Sequence, residues 1–160
     1  MTSLVIGGNG VLGSAIVRLE NAQFSTRRHG PGVYYCLDLD PAVLPTCDVS
    51  YLCAGTKGYK ECEGNAEAFR PDVDGNIKLI RHLFKAGSFI VFISSEGVEW
   101  GAATAYARNR LLVESALWMM PRTAIVRPGK FDAENVEDLA RRCIEIGNTR
   151  VEGIHYWRPH

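Results

Sequence analysis

The segment Gly7-Gly8-Asn9-Gly10-Val11-Leu12-Gly13 repeats glycine at an interval of three, and the chemistry this spacing permits is anion binding. Where a strand enters a helix through glycines, the first helical N–H groups are unpaired and sit at the positive end of the dipole. A phosphate reaches them only where no Cβ intervenes. Gly7 and Gly10 meet that need, Val11 and Leu12 carry the amides that follow, and Gly13 allows the helix to lie close to the strand. A second group, Ser25-Thr26-Arg27-Arg28, sets two hydroxyls beside two guanidinium groups, and a planar guanidinium fork matches a phosphate monoester. A solvated basic loop is the competing reading of that group.

The elements that must position these residues follow from periodicity. Leu4–Ile6 is a short apolar run, and Val11–Leu19 repeats apolar residues at helical spacing, giving strand, glycine turn and helix. Gln23–Thr26, Val33–Leu39 and Asp48–Cys53 read as further strands, and Val73–Lys85 as a helix that buries Ile77, Ile80, Leu83 and Phe84 and closes at Gly87. Phe89–Ile93 is apolar throughout, the pattern of a central parallel strand covered on both faces. A helix over Ala105–Met119, a strand over Thr123–Val126, a helix over Val136–Ile146 and an alternating edge strand over Arg150–Trp157 complete the chain. Alternating strands and helices predict an α/β fold with a doubly wound, mostly parallel sheet of Rossmann type. The length of 160 residues predicts one domain over 1–160.

Composition narrows the partners. Lysine plus arginine equals aspartate plus glutamate at 18 each, so no overall field draws the chain to nucleic acid or anionic lipid. No apolar run is long enough for a membrane span, and Leu4–Ile6 lacks the basic flank of a signal peptide, which leads to the expectation of a cytoplasmic protein. Cys36, Cys47, Cys53, Cys62 and Cys143 are odd in number and never form a C-x-x-C pair, as expected of reduced thiols. His29, His82, His155 and His160 have no ligand-like spacing, and no metal is expected.

Strand-first placement of the glycine pattern is the context of a dinucleotide-binding turn. A glycine-rich turn without a ligand, and S-adenosylmethionine on the same type of sheet, are the alternatives. A site selective for NAD(H) sets an acid at the end of the second strand. Arg27 and Arg28 stand there instead, so the expectation is NADP(H) in preference to NAD(H). Asp38, with Leu39 beside it, comes a strand later and is placed to touch the adenine edge.

Taken in order, several motifs make the chain resemble the extended short-chain dehydrogenase/reductase family, particularly reductases and epimerases of the dTDP-4-dehydrorhamnose reductase and UDP-glucose epimerase kind. They are the glycine turn, Leu37-Asp38-Leu39, Cys53-Ala54-Gly55, Asp72-Val73-Asp74-Gly75-Asn76, Ile93-Ser94-Ser95, Tyr106 with Arg110, and Val126-Arg127-Pro128-Gly129. The resemblance implies an NADP(H)-dependent oxidoreductase acting on a carbonyl or alcohol, with a sugar nucleotide as one candidate substrate. It implies Tyr106 as general acid/base, Ser95 with neighbouring Ser94 as the group that orients the substrate oxygen, and Ala54 and Gly55 beside the cofactor. The family's lysine, four residues after the tyrosine, is here Arg110, which supplies charge to the cofactor ribose and the phenolate but relays no proton, because its pKa lies above about 12.

Other departures are Asp72 in place of an asparagine, Glu96 directly after the serines, and a short span from Ser95 to Tyr106. Family enzymes continue past the Arg-Pro-Gly motif into a substrate-binding domain, whereas this sequence ends at His160, which predicts a shallow pocket or one completed by another subunit. Related enzymes dimerise through the helix that follows the tyrosine, and the mostly apolar face with Leu111, Leu112, Ser115, Ala116 and Met119 leads to the expectation of a homodimer or higher homo-oligomer. Lys57 and Lys60 are candidate contacts for an anionic substrate, and a surface pair of Arg110 with Glu114 is the plain alternative for Arg110. A non-catalytic NADP(H)-binding sensor or regulatory module is the second functional reading.

Overall fold

The computed structural model describes residues 1–55, 63 and 70–159. Its strands are β1 (Ser3–Ile6), β2 (Gln23–Thr26), β3 (Val33–Tyr34), β4 (Val49–Leu52), β5 (Phe89–Ile93), β6 (Thr123–Pro128) and β7 (Gly153–Trp157). The helices among the described residues are α1 (Val11–Glu20), α2 (Arg70–Lys85), α3 (Ala105–Leu117) and α4 (Val136–Thr149). The strands form one seven-stranded sheet in the order β3-β2-β1-β4-β5-β6-β7, and every pairing is parallel. The expectation of a mostly parallel sheet thus becomes a wholly parallel one, with β7 at the edge beside β6. The strand order reverses direction between β1 and β4, and that is where the crevice of a doubly wound sheet opens.

Period-two alternation sends each strand's side chains to two cores. Val5, Val49, Tyr51, Val91 and Val126 meet Leu12 and Ile16 of α1 and Leu139, Cys143 and Ile146 of α4 on one face. Leu4, Ile6, Leu52, Ile90, Phe92 and Ile125 meet Leu79, Ile80 and Leu83 of α2 and Val113 and Leu117 of α3 on the other. Burial on both sides explains why β5 is apolar at every position.

The third strand is much shorter than Val33–Leu39. After Tyr34 the chain turns, with Leu39 N donating to Cys36 O at 2.9 Å. Tyr35, Leu37 and Leu39 pack toward the α2-side core, as alternate residues of a strand also would, so their spacing looks like a strand although the backbone turns and leaves the ladder after Tyr34. The other boundaries differ from the sequence expectation by a few residues, as helix and strand ends commonly do.

A buried ion pair ties α3 to the sheet. Glu114 is fully buried, and Arg127 of β6 donates to it twice, Nε to Oε1 at 3.1 Å and Nη2 to Oε2 at 2.6 Å. Arg127 Nη1 donates to the Tyr156 hydroxyl at 3.1 Å, and Glu114 holds the Arg127 guanidinium firmly in its charged form. Removing Glu114 strips the buried guanidinium of its two hydrogen bonds to that carboxylate and leaves it Tyr156 and the longer ion pair to Glu99 at 3.7 Å, a loss of about 3–5 kcal/mol, whereas replacing both partners by apolar residues is far milder. Chemical denaturation is therefore expected to show Glu114→Ala destabilised by about 3–5 kcal/mol, with Glu114→Met plus Arg127→Met recovering most of that loss.

Candidate functional site

The glycine turn is held to β2 by its own backbone. Gly8 N donates to Ser25 O at 3.1 Å and Gly7 N donates to Ser25 Oγ at 3.0 Å. On the other side the turn abuts β4, because a Cβ on Gly7 would lie 2.9 Å from Ala54 N, and Gly7 itself has φ +86°. A side chain at Gly7 is excluded both by space and by conformation. Gly13 lies under the Gly7 carbonyl with no room for a methyl group, and this close approach aims the start of α1 across the ends of the strands. Gly10 occupies the cap position of α1 without any side-chain cap, so the first amides of the helix face outward unmasked.

Asn9 adds a contact that the spacing of glycines did not reveal. Its Nδ2 donates to Thr26 Oγ1 at 2.6 Å, and Arg28 N donates to the same oxygen at 3.0 Å. With both lone pairs engaged, the Thr26 hydroxyl has only its proton left to offer. A buried donor thus stands beside the exposed Arg27 and Arg28.

These groups line a cleft of about 460 Å³, within the range of small-molecule sites. The sequence-derived residues that line it are Gly7, Gly10, Arg27, Arg28, Asp38, Ala54 and Gly55; Val11, Leu12, Gly13 and Leu39 do not. Asn9, Tyr35, Cys36, Cys53 and Asp72 line it as well. Tyr35 is buried, its hydroxyl has no partner among the described residues, and desolvation pushes its pKa up to about 12. The Cys36 thiol is raised chiefly by its hydrogen bond to the Asp38 carboxylate, which is correspondingly held below the usual carboxylate range. Burial pushes the Cys53 thiol up to about 12.

Tyr106 and Arg110 lie one turn apart on α3, beyond the far end of the cleft. The Arg110 guanidinium carbon stands 5.2 Å from the Tyr106 ring centroid and 5.5 Å from that of Phe92. Both residues border a hollow of only about 20 Å³, room for a single water, together with Gly55, Asp72 and Asn76. The alternative pairing of Arg110 with Glu114 is not formed, because Arg127 takes Glu114.

Ser94 and Ser95 line neither space. Ser94 is buried, with no hydroxyl partner among the described residues. Ser95 Oγ accepts from Gly97 N at 3.2 Å and caps a short 3₁₀ turn. Glu96 accepts a hydrogen bond from Arg158 Nε at 3.1 Å and leans over Gly129.

Lys57, Lys60, Cys62 and His160 lie outside the described residues. Among the described residues no group of three or more His, Cys, Asp or Glu is placed to hold a metal ion, and no helix is long and apolar enough to cross a membrane.

No protein-family model and no curated protein matches the sequence. Solved structures do match in fold. The dTDP-4-dehydrorhamnose reductase of Yersinia enterocolitica aligns at TM-score 0.81 and 16% identity over 98% of this chain and 74% of its own. A hypothetical dTDP-4-dehydrorhamnose reductase from Sulfolobus tokodaii aligns at TM-score 0.79 and 19% identity over 98% of this chain and 76% of its own. MoeE5, solved in complex with UDP-glucose and NAD, aligns at TM-score 0.79 and 16% identity over 99% and 76%. The chain therefore has the Rossmann-type α/β fold of these proteins, as its sequence predicts.

Cys36 offers a direct probe of the cleft. Removing the neighbouring negative charge lowers a thiol's pKa and so increases its thiolate fraction. Asp38→Asn is expected to speed Cys36 alkylation at pH 8, read by peptide mass spectrometry, while Cys53 and buried Cys143 stay slow in both proteins.

Proposed function

We propose that the cleft binds NADP(H), and that the chain acts as an oxidoreductase of the short-chain dehydrogenase/reductase type on a carbonyl or alcohol, with a sugar nucleotide as the candidate substrate. The observation that carries this reading is the meeting of the uncapped α1 terminus with Thr26, Arg27 and Arg28 in one cleft. The helix terminus suits a diphosphate, and the hydroxyl donor with two guanidinium groups suits a 2′-phosphate. A ribose 2′-hydroxyl seeks an acidic acceptor, and the end of β2 offers none. Of the two acids that follow β3, Asp38 lines the cleft and is engaged by the Cys36 thiol, and Asp40 caps the next 3₁₀ turn outside the cleft. Likeness to MoeE5, whose structure carries NAD and UDP-glucose, supports the nucleotide class and the candidate substrate.

In the catalytic form of this reading the cofactor would be held by the glycine turn, Arg27, Arg28, Asp38, Ala54 and Gly55, and it supplies the hydride when bound. Tyr106 donates the proton to the substrate oxygen, and Arg110 packs against its ring. Ser95 and Ser94, the candidates for orienting that oxygen, border neither space, so this reading rests on Tyr106 among the candidates that do. Arg110 also supports the second reading, a module that binds NADP(H) without turnover, because its guanidinium relays no proton and the space around it is so small.

Energy transfer from Trp100, Trp118 and Trp157 to reduced nicotinamide tests cofactor choice. NADPH is expected to saturate at much lower concentration than NADH, and Arg27→Ala with Arg28→Ala is expected to weaken NADPH by about tenfold or more while barely changing NADH. Equal losses would remove the 2′-phosphate role. Tyr106→Phe separates the two functional readings: unchanged NADPH binding with abolished carbonyl reduction supports catalysis, whereas absence of turnover by the wild-type chain across a broad carbonyl panel supports the binding module.

We also propose self-association through α3, which exposes Leu112, Trp118 and Met119 at its far end. Sedimentation at micromolar concentration is expected to show a dimer that Leu112→Glu with Met119→Glu dissociates.

A further inference from the structure

The large cleft and the small hollow beyond it share Gly55 and Asp72, and Arg110 reaches the boundary between them. A Cβ on Gly55 would overlap the Arg110 guanidinium, just as one on Gly7 would meet Ala54. Glycine turn, Ala54, Gly55 and guanidinium therefore form one continuous wall at the phosphate-facing end of α1.

Among the described residues no acid answers the Arg110 charge. Its aromatic contacts are with the faces of Phe92 and Tyr106, and among the described residues no carboxylate lies within ion-pair distance of it. Contact with ring faces fixes the guanidinium while leaving its in-plane N–H fork available, and that fork is the geometry that grips phosphate. The buried Tyr35 hydroxyl, without a partner among the described residues, is a further unspent polar group on the same cleft.

We propose that Arg110 is an anion-binding residue of the cleft that grips the second phosphate of a 5′-diphosphate. Adenosine diphosphates, especially those carrying a 2′-phosphate, are then ligands in their own right and need no nicotinamide. This rests on the nucleotide reading of the cleft given above and sharpens it. The adenosine, 2′-phosphate and diphosphate would find their partners on one side of Arg110, and the small hollow on the other side, as the described residues bound it, offers a nicotinamide ring little contact.

Calorimetric titration of the full chain with adenosine 2′,5′-bisphosphate, 2′-phosphoadenosine 5′-diphosphate and NADP⁺ tests the assignment. For the wild type, the second 5′-phosphate is expected to strengthen binding by about tenfold, the worth of one charge-assisted contact, and NADP⁺ is expected to bind within about threefold of the diphosphate. Arg110→Met, which keeps an apolar stem against the rings, is expected to lose the diphosphate increment and leave the bisphosphate unchanged; Arg110→Lys is expected to restore part of it.

An increment that survives Arg110→Met, or equal weakening of both nucleotides, would overturn the assignment. NADP⁺ binding more than about thirtyfold tighter than the diphosphate would overturn it while leaving the dinucleotide reading intact. If none of the nucleotides bound, both would fall. If Arg110→Met fails to fold, Arg110→Gln supplies the same comparison: loss of the diphosphate increment with the bisphosphate unchanged supports the assignment, and its survival overturns it.

Discussion

The clamping of the glycine turn between β2 and β4 is the constraint on which the remainder of the site depends. Ser25 takes two amides of the turn, one on its hydroxyl and one on its carbonyl, while Ala54 leaves no room for a side chain on Gly7. The turn's first amides are already satisfied by β2, and the uncapped start of α1 at Gly10 lines the crevice at the reversal of strand order. The same clamp brings Asn9 onto Thr26 and so sets the direction of the Thr26 hydroxyl beside the two arginines. Geometry at one tight turn thereby arranges both the open start of α1 and the hydroxyl beside the two arginines.

Charge is distributed along the sheet in a matching way. On the β2 side, Arg27 and Arg28 are exposed to the cleft. On the β6 side, Arg127 is neutralised by Glu114, and Glu96 by Arg158. Arg110 stands between these regimes, held by aromatic faces rather than by an acid. The open, cationic half of the crevice suits a phosphorylated ligand, and the other half is knitted together by internal ion pairs.

Much of the fold was legible because its signals are local. Strand-glycine-helix order at Leu4–Gly13 and the unbroken apolar run Phe89–Ile93 follow directly from backbone sterics and two-sided burial. The length of β3 was not legible, since Tyr35, Leu37 and Leu39 alternate toward one core as a strand would, while the turn that closes on Cys36 and Leu39 takes the backbone out of the ladder. In the cleft, glycines and arginines announce themselves by type, whereas Asn9, Tyr35 and Cys36 become site residues only through the positions of β2 and the loop after β3. The i,i+4 spacing of Arg110 and Glu114 suggested a pair that the sheet prevents, because Arg127 reaches the same carboxylate with two hydrogen bonds from within the protein. Helical spacing describes what a helix can do alone; the neighbour across the core decides what it does.

The central claim is that an adenine nucleotide lies along the glycine turn with its 2′-phosphate at the end of β2. Backbone amide NMR during titration with NADP⁺ tests it most directly. The account predicts saturable shifts concentrated at Gly7–Gly13, Thr26–Arg28 and Cys36–Asp38, with the Arg27 and Arg28 shifts much reduced when NAD⁺ is used instead. Shifts absent from the glycine turn, or centred on another face of the sheet, would contradict it.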